Sequence, residues 1–332
     1  MLALHENVVL LAAELRSQYG LVGMDVETAT LFRDKTSMKE RVRSVHAAPV
    51  PEFSNLDSYE VLDKIDWNSG RKVIKSRLGL GANGVQVVDT LDAARKACSG
   101  LDLQNDHYEI EDFIDGDIYH CDAVMQDGKV RFESVGRYLA NPAAYEEGGF
   151  FGTALVTEGQ LRERIVSLNE EVLKALGMRD GVTHLELFHT PDDTLVFCEV
   201  AGRPAGGGIP AVIEAQHGIN IAEISLRLQA GLKVELPPRD PGGNERVCGF
   251  AAFYPGRHDG PGVDASFFDT YGVVEHSHHS GAGDGKGGVR HSTDFRDVYI
   301  MSASDTQTLE DNVSRLRRQY QGTTPDRREE GD

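Results

Sequence analysis

The stretch Lys72–Val88, KVIKSRLGLGANGVQVV, is the segment around which the rest of the chain is organised. Two β-branched runs flank glycines at positions 79, 81 and 84, and Lys75 stands near the end of the first run. The pattern predicts two strands joined by a glycine-rich connection. Glycine lets backbone N–H groups turn inward as an anion nest, and a neighbouring lysine adds a positive charge. The stretch therefore predicts a hairpin that binds a triphosphate. An ordinary glycine hairpin with a surface lysine is the alternative.

The overall composition is typical of a soluble globular protein. The chain has 332 residues, of which 40% are hydrophobic and 26% charged, and its formal net charge is −19 at pH 7. This negative charge argues against nucleic acid or an anionic membrane surface as the main partner. The apolar runs are far shorter than the ~20 residues of a membrane span. The N-terminus lacks the basic start of a signal peptide, and we therefore expect a cytoplasmic protein.

Cysteine and histidine spacing gives little support to a structural metal site. The four cysteines lie far apart without a CxxC pair, so we expect them to be reduced: Cys98, Cys121, Cys198 and Cys248. A histidine-rich segment, HSHHSGAGDGKGGVRH, either binds zinc or forms a flexible surface loop, and its spacing is not that of a structural zinc site. Its histidines are His276, His278, His279 and His291.

Hydrophobic periodicity and turn residues predict a mixture of helices and strands. Helices are expected over 6–19, 35–45, 59–65, 91–98, 158–176, 209–217, 221–228 and 309–320. Besides the hairpin, strands are expected over 107–113, 118–125, 129–138, 184–190, 194–200, 246–254, 271–276 and 297–303. The glycine-bearing segment 141–152 is predicted to be a loop that acts as a lid.

Two further clusters contain residue types that suit a nucleotide. Arg33-Asp34-Lys35 is predicted to lie just inside a helix. In IEDFIDGDIYHCD, Glu111 and the end of a short strand come just before a glycine turn. Exposed backbone groups there could form hydrogen bonds with the edge of an adenine. A solvated helix end and an acidic strand end are the respective alternatives.

A third cluster suits a divalent cation. HLELF places Glu186 on one strand, and CEVAGRP places Glu199 on the next, four residues before Arg203. Carboxylates on adjacent antiparallel strands can face the same side, and oxygen ligands with open positions suit Mg²⁺. An arginine nearby can take up charge on a transferring phosphate. Surface glutamates on a hairpin are the alternative.

Taken in order, these clusters resemble the ATP-grasp family of carboxylate–amine ligases over about residues 33–232. The resemblance rests on the order and spacing of these clusters along the chain. It is nearest to the amino-acid and dipeptide ligases, whose segment after the second glutamate is similar to CEVAGRPAGGG here. The resemblance implies an α+β fold in which two subdomains grip ATP between them. It also implies a small C-terminal α+β domain, which FAAFYPGR resembles.

The resemblance assigns roles to individual residues. Its implied ATP contacts are the phosphate lysines Lys35 and Lys75, the mobile loop with Gly79, Gly81, Gly84 and Val85, and the adenine contacts Glu111, Phe113 and Ile114. Glu186 and Glu199 resemble the Mg²⁺ ligands, with Mn²⁺ as an alternative ion. Arg203 resembles the catalytic arginine that stabilises the phosphate and the intermediate.

Three features depart from the family pattern. The acidic residue that holds the ribose is replaced by Ile118, with Asp117 as a substitute one position earlier. The asparagine often found two residues after the second glutamate is Ala201. The α/β domain that begins such ligases is represented only by residues that resemble its very end, so we expect most of it to be lacking.

The implied division of the chain has five parts. These are a remnant of the N-terminal domain with a linker helix (1–31), subdomain A with the glycine-rich loop (32–110), subdomain B with the metal site (111–235), a C-terminal closing domain (236–322) and a disordered tail (323–332).

The resemblance implies an ATP-dependent ligase that forms an amide or peptide bond through an acyl phosphate. Its partners would be ATP and small carboxylate and amine substrates, with amino acids expected and a homodimer left open. Arg137, His184 and His217 are candidate substrate contacts or structural residues. The alternative function is an ATP-binding, catalytically incomplete subunit that needs a partner.

Overall fold

The computed structural model describes residues 1–141, 149–236, 246–255, 262–279 and 293–322. Its strands are β1 (Phe53–Leu56), β2 (Lys72–Ser76), β3 (Gln86–Val88), β4 (Tyr108–Asp112), β5 (Asp117–Gln126), β6 (Lys129–Tyr138), β7 (Phe150–Leu155), β8 (Gly181–His189), β9 (Leu195–Ala201), β10 (Val247–Phe253), β11 (Val273–His278) and β12 (Asp297–Ala303). Its α-helices are α1 (Val9–Tyr19), α2 (Val26–Leu31), α3 (Lys35–Ser44), α4 (Tyr59–Leu62), α5 (Leu91–Ala97), α6 (Gln160–Leu176), α7 (Ile209–His217), α8 (Ile221–Gln229), α9 (Phe268–Tyr271) and α10 (Thr306–Tyr320).

The chain divides into two compact units. The first comprises residues 1–135, 158–205 and 221–237, and the second comprises 136–157, 206–220 and 238–332. The predicted domain boundaries differ from these limits and stay a prediction.

The first unit contains a four-stranded antiparallel sheet in the order β1-β4-β2-β3. Alternate residues of these strands face a core with α4 and α5, because side chains alternate between the faces of a strand. The fully buried members include Leu56, Leu62, Ile74 and Ile110. The opposite face of β2 and β4 carries Lys75, Glu109 and Glu111, so the glycine hairpin is anchored on a sheet with one apolar and one charged side.

The same unit holds the antiparallel strands β6, β5, β8 and β9 in that order. Helix α6 buries Ile165, Val172 and Leu176 at helical spacing and ends at Gly177 in the left-handed conformation. This helix contacts α3, which begins with Lys35, and β5, which pairs with the strand that carries Glu186.

The second unit has the strand order β11-β12-β10-β7, with residues 136–138 at the end of β6 paired on β7, and α10 packs on β10, β7 and β12. Aromatic residues fill its core, with Phe253 stacked on Tyr320 at 3.7 Å between ring centroids. Gly249 of β10 lies so close to β7 that a Cβ there would be 2.4 Å from the Thr153 carbonyl oxygen.

Most predicted elements are present, and the following differences occur. Arg33 and Asp34 precede α3 instead of lying inside it, because the Asp34 carboxylate caps the helix by accepting from the amides of Thr36 and Ser37. The helix predicted from residue 6 begins at Val9, after a short 3₁₀ turn over Glu6–Val8. Strand β1 was not predicted, and the strand expected over 271–276 lies two residues later.

The predicted loop over 141–152 is wrong at its end, since Phe150–Gly152 belong to β7. The glycines in this segment favoured a loop prediction. In the structure Gly152 lies inside the sheet, where a Cβ would be 2.5 Å from the Phe250 carbonyl oxygen. Residues 142–148 lie outside the described residues. Among the described residues, no helix combines the length and apolarity that a bilayer crossing requires.

Candidate functional site

The glycine-rich hairpin is formed as predicted, with β2 and β3 paired antiparallel from Lys72 opposite Val88. In the connection, Gly81, Ala82 and Gly84 all have positive φ angles, of 62°, 57° and 71°. Their amide groups donate to no acceptor among the described residues. Successive outward amides in this conformation form a concave anion site, so the loop can hold phosphate oxygens.

Lys35 connects the hairpin to the carboxylate strands. Its Nζ lies 2.8 Å from the carbonyl oxygen of Gly79 and 3.1 Å from Oε2 of Glu199. The Asp34 cap fixes the start of α3, and Asp34 is itself paired with Arg77, which lowers its pKa against the effect of burial. Three clusters that lie far apart in sequence thus meet at one lysine.

Lys75 belongs to a buried quartet of two lysines and two glutamates. Its Nζ lies 2.5 Å from Glu111 and 3.7 Å from Glu109, and Lys39 pairs with both glutamates. Burial alone would lower the pKa of Lys75, but Glu111 and its neighbours raise it well above its usual value. Burial raises the pKa of Glu109. Lys75 therefore stays charged. No sequence motif pointed to Lys39 or Glu109.

Glu186 and Glu199 lie directly opposite each other on β8 and β9, as the sequence predicted. The register shifts between Glu186 and Leu187, so Cys198 is an extra residue in β9. Such a bulge turns neighbouring side chains, and Cys198 and Glu199 are both only partly buried. Burial would raise the pKa of Glu199, but Lys35, Lys75 and Arg203 lower it to about 2. This carboxylate is ionised and available to a cation.

A polar row that sequence reasoning largely missed lies beside this pair. Asp122 is opposite His184, and His120 is opposite Glu186. The buried Asp122 carboxylate accepts from Nδ1 of His120 at 2.7 Å and from Nδ1 of His184 at 3.0 Å. Nε2 of His184 is 3.3 Å from Oε1 of Glu186. His184 is thus a structural neighbour of the carboxylate pair.

The protonation states of His184 and Asp122 depend on their contacts with each other and with their neighbours. Burial would lower the pKa of His184, but Asp122 and Glu186 raise it to about 10. The two histidines hold the pKa of Asp122 far below its usual value. An imidazolium between two carboxylates donates a hydrogen bond to each, so His184 orients the Glu186 carboxylate. Within the described part of the chain, the ligand atoms of His120, Asp122 and His184 also lie close enough together for a metal ion, but metal binding there would require neutral imidazoles.

Arg203 is held by a residue that the sequence did not single out. Its Nε donates to Oε2 of Glu6 at 2.9 Å, and Nη1 donates to the Pro204 carbonyl oxygen at 2.8 Å. Glu6 also pairs with Arg33 at 2.7 Å, and Arg33 donates to the Leu78 carbonyl oxygen beside the glycine loop. The isolated glutamate in a 3₁₀ turn carried no motif that could have revealed this role.

The expected adenine segment follows β4. Glu111 is engaged with two lysines, and the Phe113 amide donates to the Arg71 carbonyl oxygen at 3.0 Å. Ile114 is half-buried. Asp117 pairs with His189 at the start of β5. It precedes His120 by three residues, so it lies on the opposite face of the sheet from His120 and Glu186. The structure does not bring Asp117 to the carboxylate pair, and the adenine and ribose roles stay predictions.

The other candidates have local partners. Arg137 pairs with Glu310, and His217 is the last residue of α7. His276 and His278 both lie within hydrogen-bond distance of Asp297, at 3.0 and 2.8 Å. His291 lies outside the described residues. The described histidines of this segment do not join a group of three metal-ligand residues.

The donor set fits Mg²⁺ and a polyphosphate. Two cross-strand carboxylates, one held ionised, offer the oxygen ligands that Mg²⁺ prefers. Lys35 already neutralises Glu199, and the glycine loop above it presents free amides. The arrangement can therefore place a metal–phosphate complex between carboxylates, lysines and backbone donors.

Two sequence comparisons agree with this arrangement. Residues 70–211 match the family model of the ATP-grasp domain. The L-arginine-specific L-amino acid ligase of Bacillus subtilis is 28% identical over 236 residues, which are 67% of this chain. The match spans 55% of the length of that ligase.

Solved structures share the fold. The L-amino acid ligase from Bacillus licheniformis matches with a TM-score of 0.72 and 18% identity, over 95% of this chain and 77% of that one. Carboxyaminoimidazole ribonucleotide synthase from Aspergillus clavatus, complexed with ATP, matches with a TM-score of 0.70 and 14% identity, over 96% and 81%. The predicted α+β fold is thereby confirmed as the ATP-grasp fold, and the match to the ATP-grasp domain model lies within it at residues 70–211.

Proposed function

We propose that this protein is an ATP-dependent carboxylate–amine ligase that joins two small molecules, with amino acids as the expected substrate class. The observation that carries the proposal is the position of Lys35. It contacts both the glycine loop at Gly79 and the carboxylate Glu199, which faces Glu186. A similarity to an L-amino acid ligase supports the substrate class.

The proposed chemistry has two steps. A carboxylate oxygen attacks the γ-phosphorus of ATP, the bond from that phosphorus to the bridging oxygen breaks, and ADP leaves with the electron pair. The amine then attacks the acyl carbon, phosphate departs, and the amine loses a proton to give the amide. Positioning and electrostatics dominate phosphoryl transfer, so charged groups at fixed places are the main requirement.

The proposed roles follow from the contacts described above. Lys35, Lys75 and the amides of Gly81, Ala82 and Gly84 bind phosphate oxygens, and Arg203 stabilises charge on the transferring group. Glu186 and Glu199 would hold Mg²⁺, or Mn²⁺, which when bound supplies charge neutralisation and Lewis acidity. His184 orients Glu186 through their hydrogen bond. Glu111, Phe113, Ile114 and Asp117 remain the proposed nucleoside contacts.

A second candidate function is an ATP-binding subunit that lacks ligation activity on its own. Two observations favour it. Ala201, opposite His184, offers no ligand where the family often has an asparagine. The Arg203 guanidinium is occupied by Glu6. For either function we propose a cytoplasmic setting, and the five-part domain division and a homodimer are proposed with it.

The test is phosphate release from ATP and Mg²⁺ with pairs of amino acids, followed by mass analysis of the product. The ligase is expected to release ADP and phosphate only when both a carboxylate and an amine are present. Lys75→Ala and Glu199→Ala should each lower turnover by at least about a hundredfold, because the first removes a positive charge that binds phosphate and the second removes a proposed metal ligand. Lys129→Ala and Glu158→Ala are matched controls, since both residues are exposed.

Wild-type rates in either site variant would contradict the ligase proposal. Nucleotide binding without turnover in the wild-type chain, with turnover restored by a second protein, would favour the incomplete subunit instead.

A further inference from the structure

A cavity of about 360 Å³ lies in the first unit, bordered by residues of α1, α8 and β8. None of the residues proposed to bind ATP or metal lines it. Much of its wall is apolar, and this part includes Val9, Met24, Met178, Val182 and Leu228. Its volume is within the range of small-molecule sites, which run from about 300 to 1,000 Å³.

Arg16 is the buried charge in this wall, with only 4% of the residue exposed. Its Nη2 donates to the Met1 carbonyl oxygen and to Oε1 of Gln229, both at 2.9 Å. Its Nε has no hydrogen-bond partner, and no carboxylate of the described residues forms an ion pair with it. Burial lowers the pKa of Arg16 and no neighbouring acid opposes that effect. Buried charges in proteins are normally paired, so a buried guanidinium without an ion-pair partner among the described residues favours an anion as its ligand.

The acidic residues at the cavity are committed elsewhere. Asp25 accepts from the Thr28 amide, Asp180 accepts from the Asp127 amide, and Asp127 pairs with Lys233. All three carboxylates belong to exposed residues. They therefore do not supply the counter-charge for Arg16.

The guanidinium is held in place by its surroundings. Gln229 accepts from both Arg16 and the Ala3 amide, and donates to the Ala3 carbonyl oxygen and to Ser225. A Cβ at Gly23 would be 2.6 Å from Nε of Arg16, and Gly23 has a φ of 132°, which glycine adopts without strain. The chain thus provides a fixed, buried cation beside a largely apolar space.

We propose that this cavity is a binding site for a small organic monocarboxylate, whose carboxylate pairs with Arg16 and whose apolar body contacts the valine, methionine and leucine side chains. One buried positive charge balances one negative charge, and the other basic residues at the cavity, Arg179 and Lys233, are exposed. The site does not depend on ATP or on the proposed ligase activity. Gly202 lines the cavity immediately before Arg203, so a bound carboxylate would lie next to the segment that carries the proposed phosphate arginine.

The test measures binding to the full chain by isothermal calorimetry and thermal unfolding, without nucleotide. The probes are sodium isovalerate and inorganic phosphate, with sodium chloride at matched ionic strength. Isovalerate is expected to bind saturably to the wild type and to raise its melting temperature. Arg16→Met should weaken isovalerate binding at least about tenfold, because a charge-assisted hydrogen bond is removed. Arg95→Met, at an exposed arginine of α5, is the matched control and should bind like the wild type.

Arg16→Lys retains the charge and should keep measurable but weaker binding, which separates loss of the site from loss of the fold. The proposal is overturned if isovalerate acts no differently from sodium chloride, if phosphate alone binds, or if Arg16→Met binds as tightly as the wild type. Self-association of the chain that leaves isovalerate without effect would also overturn it, since this face would then be a protein interface.

Discussion

Lys39 shows how one residue balances the charges beneath the proposed phosphate site. Its ammonium group is fully buried and pairs with Glu109 and Glu111, both of which also face Lys75. With two cations and two anions the quartet is neutral, and Lys75 is held in position on β2. No motif identified Lys39, because a lysine inside a helical pattern looks like any solvated residue until the fold buries it.

Replacing Lys39 with methionine is expected to lower the free energy of unfolding by about 3–5 kcal/mol, the usual cost of breaking a buried ion pair. The loss should grow with pH. Burial already raises the pKa of Glu109, and removing a cation raises it further. A carboxyl group whose pKa is raised in the folded state destabilises the fold as pH rises through that pKa. Urea unfolding at pH 5 and pH 8 measures the effect.

The double variant Lys39→Met with Glu109→Gln is the control, because it removes the uncompensated charge along with the cation. It should recover part of the lost stability and lose the added pH dependence. Equal stability of Lys39→Met and wild type at pH 8 would contradict the role given to the quartet.

In the second unit, neighbouring β-strands pack closely against one another. Strand β7 lies between β6 and β10, and glycines at 152 and 249 allow the backbones to approach. Sequence patterns obscured β7 because glycine is common in loops and rare inside strands. What identifies it as a strand is the partner on each side, and those partners come from distant parts of the chain.

Gly249→Ala should destabilise the second unit by about 1–3 kcal/mol or more, as overpacking does. The added Cβ would be 2.4 Å from the Thr153 carbonyl oxygen, and a backbone atom in a sheet cannot move aside as a side chain can. Gly100→Ala is the control, since nothing lies within 4 Å of its Cβ position. Chemical unfolding of both variants measures the difference, and equal stabilities would show that β10 and β7 tolerate the methyl group.

At the scale of the molecule, a chain with a net charge of −19 is proposed to bind the anion ATP. Long-range attraction cannot supply the affinity, so it must come from the local group of Lys35, Lys75 and the loop amides. Glu186 and Glu199 beside that group oppose an anion unless a cation neutralises them.

We therefore expect ATP with Mg²⁺ to stabilise the protein more than ATP alone. Stabilisation by a ligand at a hundred times its Kd is about 2.7 kcal/mol, and thermal unfolding over a range of ATP concentrations measures it. In a Glu186→Gln and Glu199→Gln double variant, the additional stabilisation by Mg²⁺ should disappear. An Mg²⁺ effect that is unchanged in this variant would show that the metal binds elsewhere.

Local sequence was enough to predict the hairpin, the carboxylate strands and their order, because glycine, β-branched and paired acidic residues act through local backbone preferences and strand alternation. It therefore predicted the α+β class and the family resemblance, and the structure brings Lys35, Gly79 and Glu199 together as that resemblance implied. The residues that surround them are known only from the folded chain. Lys39, Asp122 and Glu6 acquire their roles from partners up to 197 residues away, and burial, which sets their electrostatics, exists only after the chain has folded.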